Sequence, residues 1–277
     1  TQMRRVKPFS PSKAIPSRGL MRWHYLSGLI FGVITLTWVF SGLLSMEPYS
    51  WNTVRGLSNP RDALQGGQVD LLAFSGFTQT DTQQRLHRIA GEANIKEVNF
   101  KRVLDGHFYQ LVMSSQDSPW GFDRLLIGAT SLLPQSALFS EADIAQRLQL
   151  HAGSNTLISA QVLSDYDNYY YSRTSRVAPT APLPVLRVQF DDPMQTWYYA
   201  DLRGGELVYQ SHRWGRLERW LYNGLHSLDF GFWYRSRPLW DIAVILLLSG
   251  GLLLSLLGVT MGLRRLRRDS RRMLRGS

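Results

Sequence analysis

Two apolar runs bracket the chain, residues 25–46 and 242–263, each 22 residues long and without a charge. At 1.5 Å of rise per residue such a helix reaches about 33 Å, enough to cross a hydrocarbon core of about 30 Å. Both runs are expected to be transmembrane helices. Two core helices of a soluble fold would not explain their flanks.

Residues 1–24 carry Arg4, Arg5, Lys7, Lys13, Arg18 and Arg22 and no acid. Residues 264–277 carry Arg264, Arg265, Arg267, Arg268, Arg271, Arg272 and Arg275 against Asp269 alone. Each flank is +6 against +10 for the whole chain, which leaves −2 between them. Basic flanks of this length stay cytoplasmic, so both termini are expected inside, with the roughly 195 residues between the spans on the far side. The charge therefore argues for anionic lipid at the membrane edge and against nucleic acid as a partner. Glu47-Pro48-Tyr49-Ser50-Trp51 and Phe232-Trp233-Tyr234 with Trp240 fit an outer aromatic belt, and Trp23 and Tyr25 an inner one. The first run is longer than a signal-peptide core and lacks a clear small-x-small cleavage site, so it reads as an uncleaved anchor. The chain starts at Thr1, which leaves room for helices upstream.

There is no cysteine. Disulfides, zinc-thiolate and iron–sulfur sites and a cysteine nucleophile are thereby excluded. Neither apolar run holds an ionisable residue, so an ion or proton path through the two alone is not expected. Small residues recur on each: Gly28, Gly32, Thr35 and Gly42 on the first, and Gly251, Ser255, Gly258 and Gly262 on the second. Gly28, Gly32, Gly251, Ser255, Gly258 and Gly262 are the candidate helix-packing residues, with an internal or a second-chain partner.

Between the spans the pattern is α+β with a rough duplication. The first pass has a helix at 81–91 opened by a Thr80/Gln83 capping box. Strands follow at 97–104 and 107–113 around an Asp105-Gly106 turn, with a third at 124–129. The second has a Ser140-capped helix at 141–152 and strands at 157–163, 169–172, 185–190 and 196–200. Residues 177–184 form a Pro-rich loop, and Gly204-Gly205 a hairpin turn. Residues 213–229 read as an amphipathic helix with Trp214, Leu217, Leu221, Leu225 and Leu228 as its apolar stripe and Arg213, Arg216 and Arg219 off it. The expected plan is a membrane-anchored α+β protein. It has a basic segment (1–24), helix (25–46), two helix-plus-antiparallel-sheet units (47–135 and 136–212), a connecting helix (213–241), helix (242–263) and basic tail (264–277).

Arg22-Trp23-His24-Tyr25-Leu26-Ser27-Gly28, with Trp38-Val39-Phe40-Ser41-Gly42-Leu43-Leu44-Ser45-Met46, resembles a segment of the PepSY-associated transmembrane family. Residues 216–230, containing Trp220-Leu221-Tyr222-Asn223-Gly224-Leu225-His226, and Arg237-Pro238-Leu239-Trp240-Asp241 resemble it too. Residues 185–206 are similar to the closing hairpin of a PepSY module. The resemblance spans nearly the whole chain, is most specific at its ends and is weaker over 60–175. It implies a bacterial inner-membrane protein with a periplasmic PepSY-like domain, corresponding to the C-terminal half of longer members. It further implies either a peptidase-binding or regulatory role, or haem-dependent reduction of a ferric siderophore in iron uptake.

The haem reading needs ligands, and His24 and His226 are the histidines in the family motifs. Two axial ligands of one haem b lie about 4 Å apart, whereas the expected topology puts these two on opposite faces of the membrane. They are therefore candidates for cofactor binding but not for the same haem within one chain. His87, His107, His151 and His212 lack metal-ligand spacing. Asp165-Tyr166-Asp167-Asn168 is read as a turn before a cation site, and Tyr166 with Tyr169, Tyr170 and Tyr171 as strand packing before a binding face. No nucleophile, base and oxyanion set is recognisable. The leading expectation is a non-catalytic anchored binding or regulatory protein, with the haem-dependent redox protein as the alternative.

Overall fold

The computed structural model describes residues 18–46, 56–91, 94–115, 122–171, 181–234 and 236–276. Arg4, Arg5, Lys7, Lys13, the 47–51 segment and most of the Pro-rich loop lie outside these. The chain divides into two compact units, residues 50–217 and the two ends, 1–49 with 218–277.

The unit formed by the ends is built on two long helices, α1 (Leu20–Ser45) and, far along the chain, α6 (Leu239–Gly276). Both are long and apolar enough to cross a membrane. Their burial is inverted relative to a soluble helix pair: Leu36 is 68% exposed and Val39 66%, while Ser27 and Ser41 are buried. Polar hydroxyls inward and leucine outward is the arrangement favoured in lipid, where polar groups need protein partners. Ser27 donates to the Trp23 and His24 carbonyls and Ser41 to the Trp38 carbonyl, so the hydroxyls satisfy themselves on their own helix. α6 runs past the apolar stretch as one helix, so the tail arginines continue it.

The helix spanning 213–229 forms as pieces: α5 (Arg213–Glu218), a π-helical stretch (Arg219–Gly224) and one turn (Leu225–Ser227). The expected apolar stripe is overturned. Arg216 and Arg219 are 8% and 7% exposed, while Leu217 is 38% exposed. A π-turn adds a residue per turn and rotates everything after it, so a 3.6-residue period cannot be carried through it.

The globular unit holds two antiparallel sheets. β1 (Ile95–Val103), β2 (Gly106–Ser114) and β3 (Phe122–Gly128) form a meander. It is preceded by α2 (Arg61–Gln65), a 3-10 stretch (Leu71–Thr78) and α3 (Thr80–Ala90). β4 (Leu157–Leu163), β5 (Val185–Phe190), β6 (Trp197–Asp201) and β7 (Leu207–Ser211) form the second meander, preceded by α4 (Glu141–Ala152). A helix followed by an antiparallel meander therefore occurs twice. In the first sheet Tyr109, Leu111 and Ile127 turn one face to Leu86 of α3 and Phe74. In the second, Leu186, Val188, Phe190, Tyr198 and Ala200 turn one face to Ile144, Leu148 and Ala152 of α4. Alternation along a strand sends Val185 and Tyr199 to the opposite face, where Tyr170 and Ala181 cover them.

Several local expectations are corrected. Thr80 is the first helical residue of α3, not its cap: Gln79 precedes it without a side-chain cap, and Gln83 donates to the Phe77 carbonyl instead. Ser140 does cap α4 through the Asp143 amide. The β1–β2 turn is centred on Leu104-Asp105, both with positive φ, and Gly106 already belongs to β2. Docking decides this, since Leu104 and Asp105 donate their amides to the last carbonyls of α2 and the Asp105 carboxylate pairs with Arg102 and Arg147. Residues 169–171 are not a strand; Asp167 accepts the Tyr169 and Tyr170 amides and bends the chain there. β7 was not anticipated.

Candidate functional site

His226, an exposed residue in the last turn before Leu228, reaches Ser41 of α1: Nδ1 lies 3.1 Å from Oγ. Ser41 donates its one hydrogen to the Trp38 carbonyl, so it accepts from His226, which therefore carries its proton on Nδ1. Nε2 keeps its lone pair. The ring is stacked on Tyr222 with centroids 5.0 Å apart. The expected partner Asp229 is engaged elsewhere, in a buried ion pair with Arg219 at 3.5 Å.

His24 sits on the same helix, 17 residues before Ser41. Its ring lies over Gly258 of α6, where a Cβ would stand 3.7 Å from Cε1. Its Nδ1 is buried and has no hydrogen-bond partner among the described residues. Seventeen helical residues are about 25 Å. The side chains present do not fit one haem held between His24 and His226.

Of the small residues singled out for helix packing, Gly28 faces Leu254, Gly251 faces Trp38 and Gly258 faces His24. Gly32 and Gly262 have nothing within 4 Å of a built Cβ, and Ser255 donates to its own Gly251 carbonyl. The tightest approach is at Gly250, which sequence spacing did not single out: a Cβ there would stand 2.2 Å from the Phe31 ring. Only the identity of the opposing side chain reveals it.

In the globular unit, the Asp167 carboxylate receives two backbone amides and Arg187 at 2.9 Å, which accounts for the acidic turn without a cation. Among the described residues no group of three His, Asp or Glu side chains could hold a metal. Tyr170 stacks on Tyr199 at 5.0 Å, and its hydroxyl donates to the Pro182 carbonyl; burial pushes both phenols well above the usual range. These tyrosines are packing, and their polar ends are spent. Arg216 lies 4.0 Å over the Trp197 ring and donates to the Gln195 carbonyl at 2.9 Å. Burial lowers the affinity of its guanidinium for the proton.

Between the two sheets, Lys101 of β1 pairs with Glu206 after β6. Burial, with Arg124 and Arg61, pushes the Lys101 ammonium down to about 8. Nearby Asp201 is raised by burial, although the Arg203 and Gly204 amides donate to it. Gly205 completes this junction with φ +62° and Val103 2.1 Å from where a Cβ would be. The Gly204-Gly205 turn is thus an inter-sheet contact as well as a hairpin.

Ser58 Oγ stands 3.2 Å from His151 Nε2, a nucleophile-and-base distance. The same nitrogen lies 3.0 Å from the Ser58 carbonyl, which can only accept. Nε2 is therefore protonated in the neutral ring and has no lone pair with which to take the serine proton. Compared with protein-family models, curated proteins and solved structures, the chain matches none.

Proposed function

We propose that this is a membrane-anchored PepSY-type protein whose globular unit binds or regulates a partner and performs no chemistry itself. The observation that carries the reading is the recurrence of a helix followed by an antiparallel meander between two lipid-compatible helices. The described residues assemble no nucleophile with a free base and no metal cluster. On this reading the protein sits in a bacterial inner membrane with both termini cytoplasmic and the globular unit periplasmic. Its partners are the bilayer, further transmembrane helices or a second chain, and a peptidase. Arg264, Arg267, Arg268 and Arg271 prolong α6 on one side of the helix and suit anionic headgroups at the cytoplasmic edge.

One observation favours the haem-dependent reading, with a ferric siderophore as substrate: Ser41 fixes the His226 tautomer that leaves Nε2 free to ligate. That haem would need a second ligand other than His24. An absorption spectrum of the purified full chain, expressed with ample haem, separates the two. A colourless protein is expected. A Soret band that His226→Ala or His24→Ala removes would overturn the non-catalytic reading. A phosphatase fused after Ser115 is expected to be active, and an inactive fusion would reverse the orientation.

A further inference from the structure

A chain of hydrogen bonds in the globular unit fixes the protonation state of one histidine. Asp192, 3% exposed, accepts the Met194 amide at 3.2 Å, the Thr196 amide at 2.5 Å and the Thr196 hydroxyl at 2.8 Å. Thr196 has then used its only hydrogen. Toward the Leu57 amide at 3.3 Å and His212 Nδ1 at 3.2 Å it can only accept, so Nδ1 must be protonated. Across the ring, His212 Nε2 faces the Gln210 side-chain nitrogen at 3.3 Å, and that nitrogen also donates to the Leu57 carbonyl at 2.6 Å. The amide has two hydrogens, one for the carbonyl and one for Nε2, so Nε2 must be an acceptor. The neutral Nδ1–H ring satisfies every group in the chain.

A second proton has no place. On Nε2 it would point at the Gln210 NH2. Flipping that amide would aim its oxygen at the Leu57 carbonyl oxygen. The charged groups facing the ring are Asp192 in the β5–β6 turn, which favours a charge there, and Arg216 of α5, which opposes it. Burial outweighs both and holds the imidazole below its ordinary value of 6.5. Gly56, Thr196 and Gln210 complete the surroundings without charge. His151 holds the adjoining residue differently: its Nε2–H donates to the Ser58 carbonyl, and a second proton would go to Nδ1, leaving that bond intact.

We propose that His212 is a proton-operated clasp. Its neutral ring ties residues 56–57, near the start of the globular unit, to Thr196 and Gln210, near its end, and protonation releases them. The direction follows from linkage. A ring whose proton affinity is lowered by folding costs nothing above pH 6.5. It destabilises the closed form as pH falls below 6.5, because the open form takes up the proton first. The opening equilibrium is then expected to rise about tenfold between pH 7.5 and 5.5.

The test is hydrogen exchange of the full chain in lipid nanodiscs, read as protection factors so that the intrinsic pH dependence drops out. Protection of the Leu57 and Thr196 amides is expected to fall about tenfold from pH 7.5 to 5.5, while that of Val188 in β5 holds. His212→Asn keeps an N–H near the Nδ1 position and cannot titrate, so it is expected to abolish the response; His151→Gln is expected to keep it. Equal wild-type protection at both pH values, a response retained in His212→Asn, or an equal loss at Val188 would overturn the clasp. Should His212→Asn fail to fold, the imidazole 15N shifts of the wild type decide. A neutral Nδ1–H ring at pH 7.5 is expected, and an Nε2–H or charged ring overturns the proposal.

Discussion

His226 donates from Nδ1 to the Ser41 hydroxyl across 3.1 Å, joining residues 185 positions apart in the chain. Without that donor, fully buried Ser41 keeps only its bond to the Trp38 carbonyl. His226→Ala is expected to cost about 1 kcal/mol in a thermal melt of the detergent-solubilised chain. His226→Asn, which keeps an N–H near the same point, is expected to recover most of it.

The close approach at Gly250 should be separable from the glycines that face open space. Gly250→Ala drives a methyl into the Phe31 ring. It is expected to weaken the α1–α6 pair by about 1–3 kcal/mol, read from thermal stability in nanodiscs. Gly262→Ala meets nothing within 4 Å and is expected to leave the melt unchanged.

Arg219 and Asp229 form a buried pair, with side chains 8% and 6% exposed. Asp229→Asn strands a buried guanidinium without its counter-charge and is expected to cost about 3–5 kcal/mol in chemical denaturation. Replacing both residues by Leu and Met is expected to cost less than the single change, because no buried charge is then left behind.

Lys101 supplies a pH-dependent case. Its ammonium is held down to about 8 by burial, below the usual 10.5, so folding disfavours its charge. Below pH 8 that cost is present in full, and it fades as pH rises from 8 toward 10.5, where the unfolded chain also loses the proton. Lys101→Met keeps the length without the charge and leaves Glu206, 42% exposed, to water. It is expected to match or exceed wild-type stability at pH 7, and the difference is expected to shrink above pH 8 in denaturation curves.

Much of the local structure was legible because its causes are local. Helix α4 runs over 141–152 as expected, since Ser140 caps it and Ile144 and Leu148 repeat at helical spacing into the core. Strands β4 and β5 likewise lie at the expected residues. The turn at Leu104-Asp105 shifted by one residue because α2 and Arg147 bind it from outside. The stripe over 213–229 failed because a π-turn has no period that hydrophobicity can announce. The His212 network left no trace in sequence, since Leu57, Asp192, Thr196, Gln210 and His212 come from three distant segments.

By itself the sequence determined that two uncharged runs of 22 residues must be helices able to span a bilayer, and that the net positive charge lies in the flanks outside them. Length and charge act residue by residue, so no fold is needed to read them. Only the tertiary structure decided which nitrogen of His226 and of His212 holds the proton, and that Arg216 and Arg219 are buried rather than solvated. A proton's position depends on which donors and acceptors lie within about 3 Å, and packing alone brings them there.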